Sequence, residues 1–235
     1  MSNYGSQPAW IDGRTAETAE RERSFIKSVY GWMFGGLMLT AASALWVVMS
    51  QAMRQLIFGN PVMIWVLLFA ELGLVLFLSF RIMKMSPAAA ASAFLVYSVL
   101  SGLTLSSIFF VYTQATIFQA FLTAAGMFGA MSIYGMVTKR DLTSWGAFFT
   151  MGLIGLLICM VVNMFLRSSA LGFAVSVIGV VVFVGLTAYD TQKLKSYATA
   201  PQLRENLAIY GALALYLDFV NLFLMLLRLF GGNRR

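Results

Sequence analysis

From Ser28 to near the end of the chain, long apolar runs alternate with short polar breaks. The runs extend from Ser28 to Ser50, Pro61 to Phe80, Ala88 to Tyr112, Gln114 to Thr138, Trp145 to Leu166, Ser169 to at least Asp190, and Leu207 to Phe230. Each is close to the roughly 20 residues that a helix needs to cross the hydrocarbon core of a bilayer. The pattern predicts an all-α integral membrane protein with seven transmembrane helices. Spans three and four are nearly continuous, so "YTQA" must form a tight turn. The first 27 residues are polar and lack the basic start, short apolar centre and cleavage site of a signal peptide. They read as a tail, disordered at its start and helical along its charged part. The expected organisation is a tail over 1–27, a membrane domain over 28–230 and a short carboxy-terminal tail over 231–235.

Composition agrees with that pattern. The chain is 60% hydrophobic and 11% charged, far from a soluble domain. Its net charge of +7 would suggest nucleic acid in a soluble protein, but here it falls in the breaks between spans, and no nucleic-acid partner is expected. Eleven of the 16 lysines and arginines lie on one side: Arg14, Arg21, Arg23 and Lys27 in the tail, then Arg81, Lys84, Lys139, Arg140, Lys193, Lys195 and Arg204. The other side has Arg54, Arg167, Arg234 and Arg235, with Arg228 near the end of the last span. Basic residues concentrate on the cytoplasmic side, so the amino terminus is expected in the cytoplasm and the carboxy terminus outside. The chain has no histidine, which excludes histidine-dependent triads and pH switches and leaves proton chemistry to carboxylates. The single cysteine, Cys159, lies in span five and is expected to be buried and inert.

Small residues mark expected helix contacts. Gly31 and Gly35 form a GxxxG step, Ser98, Gly102 and Ser106 repeat every fourth residue, and Ala125 pairs with Gly129. Such rows let helix backbones approach closely in lipid, within one bundle or across a homo-oligomer. The 15 methionines scatter through the spans and read as flexible packing.

Four ionisable residues remain inside the spans: Glu71, Asp190, Asp218 and Arg228. Each costs about 2.5–3.5 kcal/mol to insert even on lenient scales, so each is a functional candidate by default. Asp190 and Asp218 can meet only if span six continues beyond Asp190. Pro201 suggests that its helix ends near Thr199, which would place Asp190 roughly 14 Å deep, against roughly 16 Å for Asp218. The alternative is an interfacial Asp190 paired with Lys193 one turn away.

Several stretches then point to a family. "GLTAYDTQKLK" with "LALYLDFVNLFLMLLRLFG" resembles the paired signature of the transmembrane Bax inhibitor motif family, the Bax inhibitor-1 family. "GLTLSSIFFVYT", "TAAGMFGAMSIYG" and "TKRDL" are similar to its bacterial inner-membrane members, and the likeness covers about Ser24 to Gly231. The resemblance implies a bundle with the last helix central, a cytoplasmic amino terminus, and a pH-sensitive calcium leak governed by two aspartates that fall on Asp190 and Asp218. It also implies an arginine near the end of the second helix that pairs with the aspartates in the closed state, nearest to Arg81, and a role for Glu71. In some bacterial relatives it implies association with a membrane-anchored ATP-dependent protease, for which the tail up to Lys27 is the candidate contact.

The expected mechanism follows from the carboxylates. Two of them a few ångströms apart in a low-dielectric site cannot both stay ionised cheaply, so they share a proton, which staples span six to span seven. At higher pH the charged pair repels or is neutralised by a hard cation. Calcium accepts irregular oxygen coordination, and a weak site at Asp190 and Asp218 would need Asn221, Thr187, backbone carbonyls or water to complete it. Weak binding suits a leak. Calcium is thus the expected cargo, with no tightly bound cofactor, and Arg81 or Lys193 is the candidate counter-ion. Paired aspartates also suggest an intramembrane aspartyl protease, but the glycines that such enzymes place before the second aspartate are Leu217 and Leu215 here, and no enzyme activity is expected. Asp141, beside Lys139 and Arg140, is expected to cap or solvate the turn into span five.

Overall fold

The computed structural model describes residues 9–198 and 205–232, with side chains from 19 onward in the first stretch and from 206 in the second. Nine α-helices are found among them: α1 (Ala9–Met49), α2 (Gln51–Phe58), α3 (Pro61–Arg81), α4 (Pro87–Leu105), α5 (Ile108–Val111), α6 (Gln114–Val137), α7 (Thr143–Leu166), α8 (Ser169–Ala198) and α9 (Glu205–Gly231). Seven helical segments are long and apolar enough to cross a membrane, and they coincide with the seven predicted spans. Thr199, Pro201, Arg204, Arg234 and Arg235 lie outside the described residues.

Local chemistry explains the boundaries. Asn60 Oδ1 accepts from the Val62 amide at 3.0 Å, with Pro61 at the first helical position of α3. Ser86 and Pro87 do the same for α4, where the Ser86 hydroxyl accepts from Ala89 at 3.3 Å. Thr113 caps α6 by accepting from the Thr116 amide at 3.2 Å, which makes the "YTQA" turn tight. A proline at the first turn has no amide to waste, and a capping oxygen satisfies one that would otherwise be orphaned. On the same side as Asn60 and Thr113, α7 ends on Arg167 in the left-handed conformation, φ 51°, with Asn163 Oδ1 accepting from the Ser168 amide at 3.0 Å.

The last helix is the axis of the bundle. α9 is flanked by α8, α1, α6 and α4, and its residues Ala212, Leu215, Tyr216 and Leu222 have no exposed surface. Aromatic rings fix it on two sides. Tyr216 meets Phe94 and Tyr97 edge-on at 5.8 and 5.7 Å, and Phe219 meets Phe121 and Phe128 at 5.7 and 5.5 Å. Its first turn is tied to the break after α3, where buried Asn206 donates through Nδ2 to the carbonyls of Ile82 and Met85. α7 packs on α8 and α3 on α4, both at the periphery.

Several expectations change. The charged part of the tail is helical, as expected, but it belongs to α1 without a break, and Glu22 reaches Lys195 of α8 at 3.8 Å. Residues 51–58, between spans one and two, form the short helix α2 capped by Ser50. Span three is interrupted at Ser106 and Ser107, whose hydroxyls turn back to the carbonyls of Leu103 and Thr104. Cys159 is exposed on the outer face of α7 rather than buried. Gly31 and Gly35 face open space, as does Gly129. The contact face of α1 is displaced by one residue to Gly36, under the Phe94 ring, and that of α6 runs through Ala120, Ala124 and Gly135. The Ser98–Gly102–Ser106 row does pack as expected, because a Cβ at Gly102 would strike the Thr40 carbonyl on α1.

Candidate functional site

α8 continues past Asp190 to Ala198, eight residues further. Its 30 residues correspond to about 45 Å, against about 30 Å of hydrocarbon. The surplus puts the last turns of α8 beyond the apolar layer and leaves Asp190 inside the bundle. This is the longer of the two helix endings considered from the sequence, and it determines the site.

Asp218 sits near the middle of α9, on the side facing α8, and is 5% exposed. The carboxyl groups of Asp190 and Asp218 lie within hydrogen-bonding reach of each other. Oδ2 of Asp218 is buried without a hydrogen-bond partner among the described residues. An ionised carboxylate only accepts, so two of them form a hydrogen bond only when a proton lies between them. The arrangement therefore suits a shared proton, and the buried oxygen left over suits a cation or a water molecule.

The other candidates divide. Lys193, one turn beyond Asp190, is an electrostatic neighbour of that carboxyl group, and its ammonium lies 5.7 Å from the Tyr189 ring centre and 5.9 Å from that of Tyr197. Both features of the Asp190 alternatives thus occur together, the aspartate contact and the lysine. Thr187, three residues before Asp190, is fully buried and donates its hydroxyl to the Phe183 carbonyl at 2.8 Å, which leaves its oxygen lone pairs available. Asn221, three residues after Asp218, donates to the Leu217 carbonyl at 2.8 Å and keeps its amide oxygen as an acceptor. Arg81 ends α3 on an exposed position. That helix packs on α4, and the charged neighbours of Asp190 are Lys193 and Asp218.

Glu71 belongs to a second polar centre. Its carboxylate lies within hydrogen-bonding reach of the Ser101 and Thr104 hydroxyls of α4. Ser101 also reaches Tyr216, whose hydroxyl is 2.7 Å from Thr40 Oγ1. Thr40 donates to the carbonyl of Gly36 or Ser98, each at 2.9 Å. Tyr216 is two residues before Asp218 on α9, so the axial helix presents one polar group toward α8 and the other toward α1 and α4. Sequence reasoning singled out neither Tyr216 nor Thr40. The signal available was two polar residues of α9 spaced at opposite faces.

At the end of α8, Gln192 Oε1 accepts from the Leu142 amide and its Nε2 donates to the Arg140 carbonyl, both at 2.8 Å. Asp141 Oδ1 accepts from the Thr143 hydroxyl at 2.6 Å and from its amide at 2.9 Å, the turn role expected of it. Those donors, the hydroxyl first, hold the Asp141 carboxyl below the usual aspartate range. Among the described residues there is no group of three or more acidic, cysteine or histidine side chains placed to hold a metal. A cation at the aspartate pair would rest on two carboxylates plus neutral oxygens.

Comparison with known proteins agrees with this architecture. The chain is 52% identical over 217 residues to the inner membrane protein YbhL of Escherichia coli, a match covering 90% of this chain and 93% of that protein. It is 44% identical to an uncharacterized protein of Rickettsia prowazekii, with 91% of each chain covered, and 42% identical to one from Borreliella burgdorferi, with 91% of this chain and 94% of that one covered. Residues 22–235 match the family described as inhibitor of apoptosis-promoting Bax1. With seven spanning helices around an axial α9, the chain is a multi-pass inner-membrane protein and belongs to the Bax inhibitor-1 family.

Proposed function

We propose that this protein is a calcium-permeable leak held shut by a proton shared between Asp190 and Asp218. The observation that carries the reading is the contact of two carboxyl groups across the α8–α9 seam, with one Asp218 oxygen buried and unpartnered. Protonated once, the pair is a hydrogen bond linking the axial helix to its most extensive neighbour. Deprotonated, it is two like charges in a site with few solvating groups, and repulsion loosens the seam. A divalent cation entering at that moment is attracted by both carboxylates and by the oxygens of Thr187 and Asn221. No strong chelate forms, so the ion can leave. Lys193 balances the charge of the closed state from one turn away. The sign follows: flux should rise with pH as the shared proton is lost.

The test is calcium entry into proteoliposomes between pH 6 and 8 for wild type, Asp190→Asn and Asp218→Asn. A wild-type flux that rises with pH, with both variants insensitive to pH, is the expected result. A flux indistinguishable from empty liposomes at every pH, or unchanged pH dependence in both variants, would overturn the reading.

A further inference from the structure

Next to the end of α8, beyond the aspartate pair, a pocket of about 350 Å³ opens on the basic side of the membrane domain. Its charged lining is Lys139, Arg140 and Lys193 against the single carboxylate of Asp141, with the hydroxyls of Thr143 and Ser196 beside them. Asp141 keeps its charge while accepting from Thr143, and even with Lys193 shared with Asp190 the two loop cations Lys139 and Arg140 outnumber it, so the surplus is cationic.

The pocket is held in shape. Gln192 grips the Arg140 carbonyl and the Leu142 amide, which fixes the backbone carrying both loop cations. Tyr189, also in the lining, rests its ring on Gly146, where any Cβ would collide with it. Lys193 is steadied over the Tyr189 and Tyr197 rings. Its depth is marked by Trp145, two residues beyond Thr143, 58% exposed and stacked on Phe149 at 6.1 Å. Tryptophan and tyrosine in such positions occupy the headgroup layer. From Trp145, an exposed apolar strip continues along α7 through Phe148 and Met151.

We infer that this pocket binds the phosphate headgroup of an anionic glycerophospholipid, with the acyl chains lying along the Trp145–Phe148–Met151 strip of α7. A pocket between helices that offers several cations at headgroup depth is complementary to a lipid phosphate. The apolar strip leading from it distinguishes a lipid from a free phosphoester, which would use only the cations.

The test uses the full chain, delipidated in neutral detergent and titrated with phosphatidylglycerol or phosphatidylcholine, with bound lipid counted by native mass spectrometry. Wild type should retain phosphatidylglycerol with roughly tenfold preference over phosphatidylcholine. Lys139→Gln/Arg140→Gln, two exposed loop positions, should abolish the preference, whereas Lys139→Arg/Arg140→Lys should keep it. Equal retention of the two lipids by wild type, or an undiminished preference in the glutamine variant, would overturn the inference. Displacement of the lipid by low millimolar glycerol 3-phosphate would overturn the lipid assignment by showing that phosphate alone is the ligand.

Discussion

Two membrane-embedded acidic centres lie on different sides of the axial helix, and their surroundings differ in kind. Glu71 on α3 faces hydroxyl donors, Ser101 and Thr104, and connects through Ser101 to Tyr216 and Thr40. Asp190 and Asp218 face each other, with one buried oxygen lacking any partner among the described residues. An acid supplied with neutral donors can hold one protonation state as part of the packing. Two acids that supply only acceptors need a proton or a cation to stay together. The first arrangement is suited to structure, the second to a switch.

The largest expected effect breaks the second centre. Asp218→Asn replaces an acid by a neutral donor and acceptor, and should reduce the wild-type change in calcium flux between pH 6 and 8 to near zero. Next is packing on the same side. Gly135→Leu would drive a side chain into the Ala188 carbonyl of α8, and should lower stability by about 2 kcal/mol, read as a fall in thermal midpoint in detergent. Tyr216→Phe removes the hydroxyl facing Thr40 and should lower stability by about 1 kcal/mol while preserving the pH dependence of flux. Glu71→Gln sharpens the comparison, because the amide still meets Ser101 and Thr104. Its pH midpoint for flux should match that of wild type, and a displaced midpoint would make the Glu71 centre part of the switch.

The smallest effect concerns the exposed turn at Asp141. Its folded carboxyl is held below the ordinary aspartate value by Thr143, so the turn gains stability above that ordinary value and loses it as pH falls through the lower folded one. The thermal difference between wild type and Asp141→Asn should stay constant from neutral pH down to about pH 4 and shrink in stronger acid. A deletion of residues 1–18 offers a further comparison, between bundle and tail. A leak carried by the bundle should persist without them, whereas a protease contact, if it runs through this part of the tail up to Lys27, should be lost. The Glu22–Lys195 contact shows that the tail beyond residue 18 is already engaged with α8.

The aspartate pair was legible in the sequence because charge in lipid is costly enough to mark a position regardless of context, and because Pro201 suggested that helix eight outlasts its apolar part. Span boundaries were legible from the apolar runs, whereas the caps at Asn60, Ser86 and Thr113 that fix them locally emerged from the structure. The packing faces were not legible. Gly31, Gly35 and Gly129 satisfy a spacing rule but face open space, because a helix rich in small residues offers several faces and the neighbouring side chains choose among them. Gly36 was chosen by the Phe94 ring, and Gly135 by the Ala188 carbonyl. Cys159 was misplaced for the same reason, since an apolar span looks alike on its lipid and protein sides.

Hydropathy and local capping therefore determined how many helices there are and where they begin and end, since the bilayer sets their length and the caps depend on neighbours within a few residues. Only the tertiary structure decided which helix became the axis and which polar groups met. Tyr216 and Asp218 are two positions apart in the chain, yet they serve different centres because residues two apart in a helix project from nearly opposite faces. The pocket at Lys139, Arg140 and Lys193 likewise brings together residues more than fifty positions apart, through a Gln192 clamp that no local pattern announces.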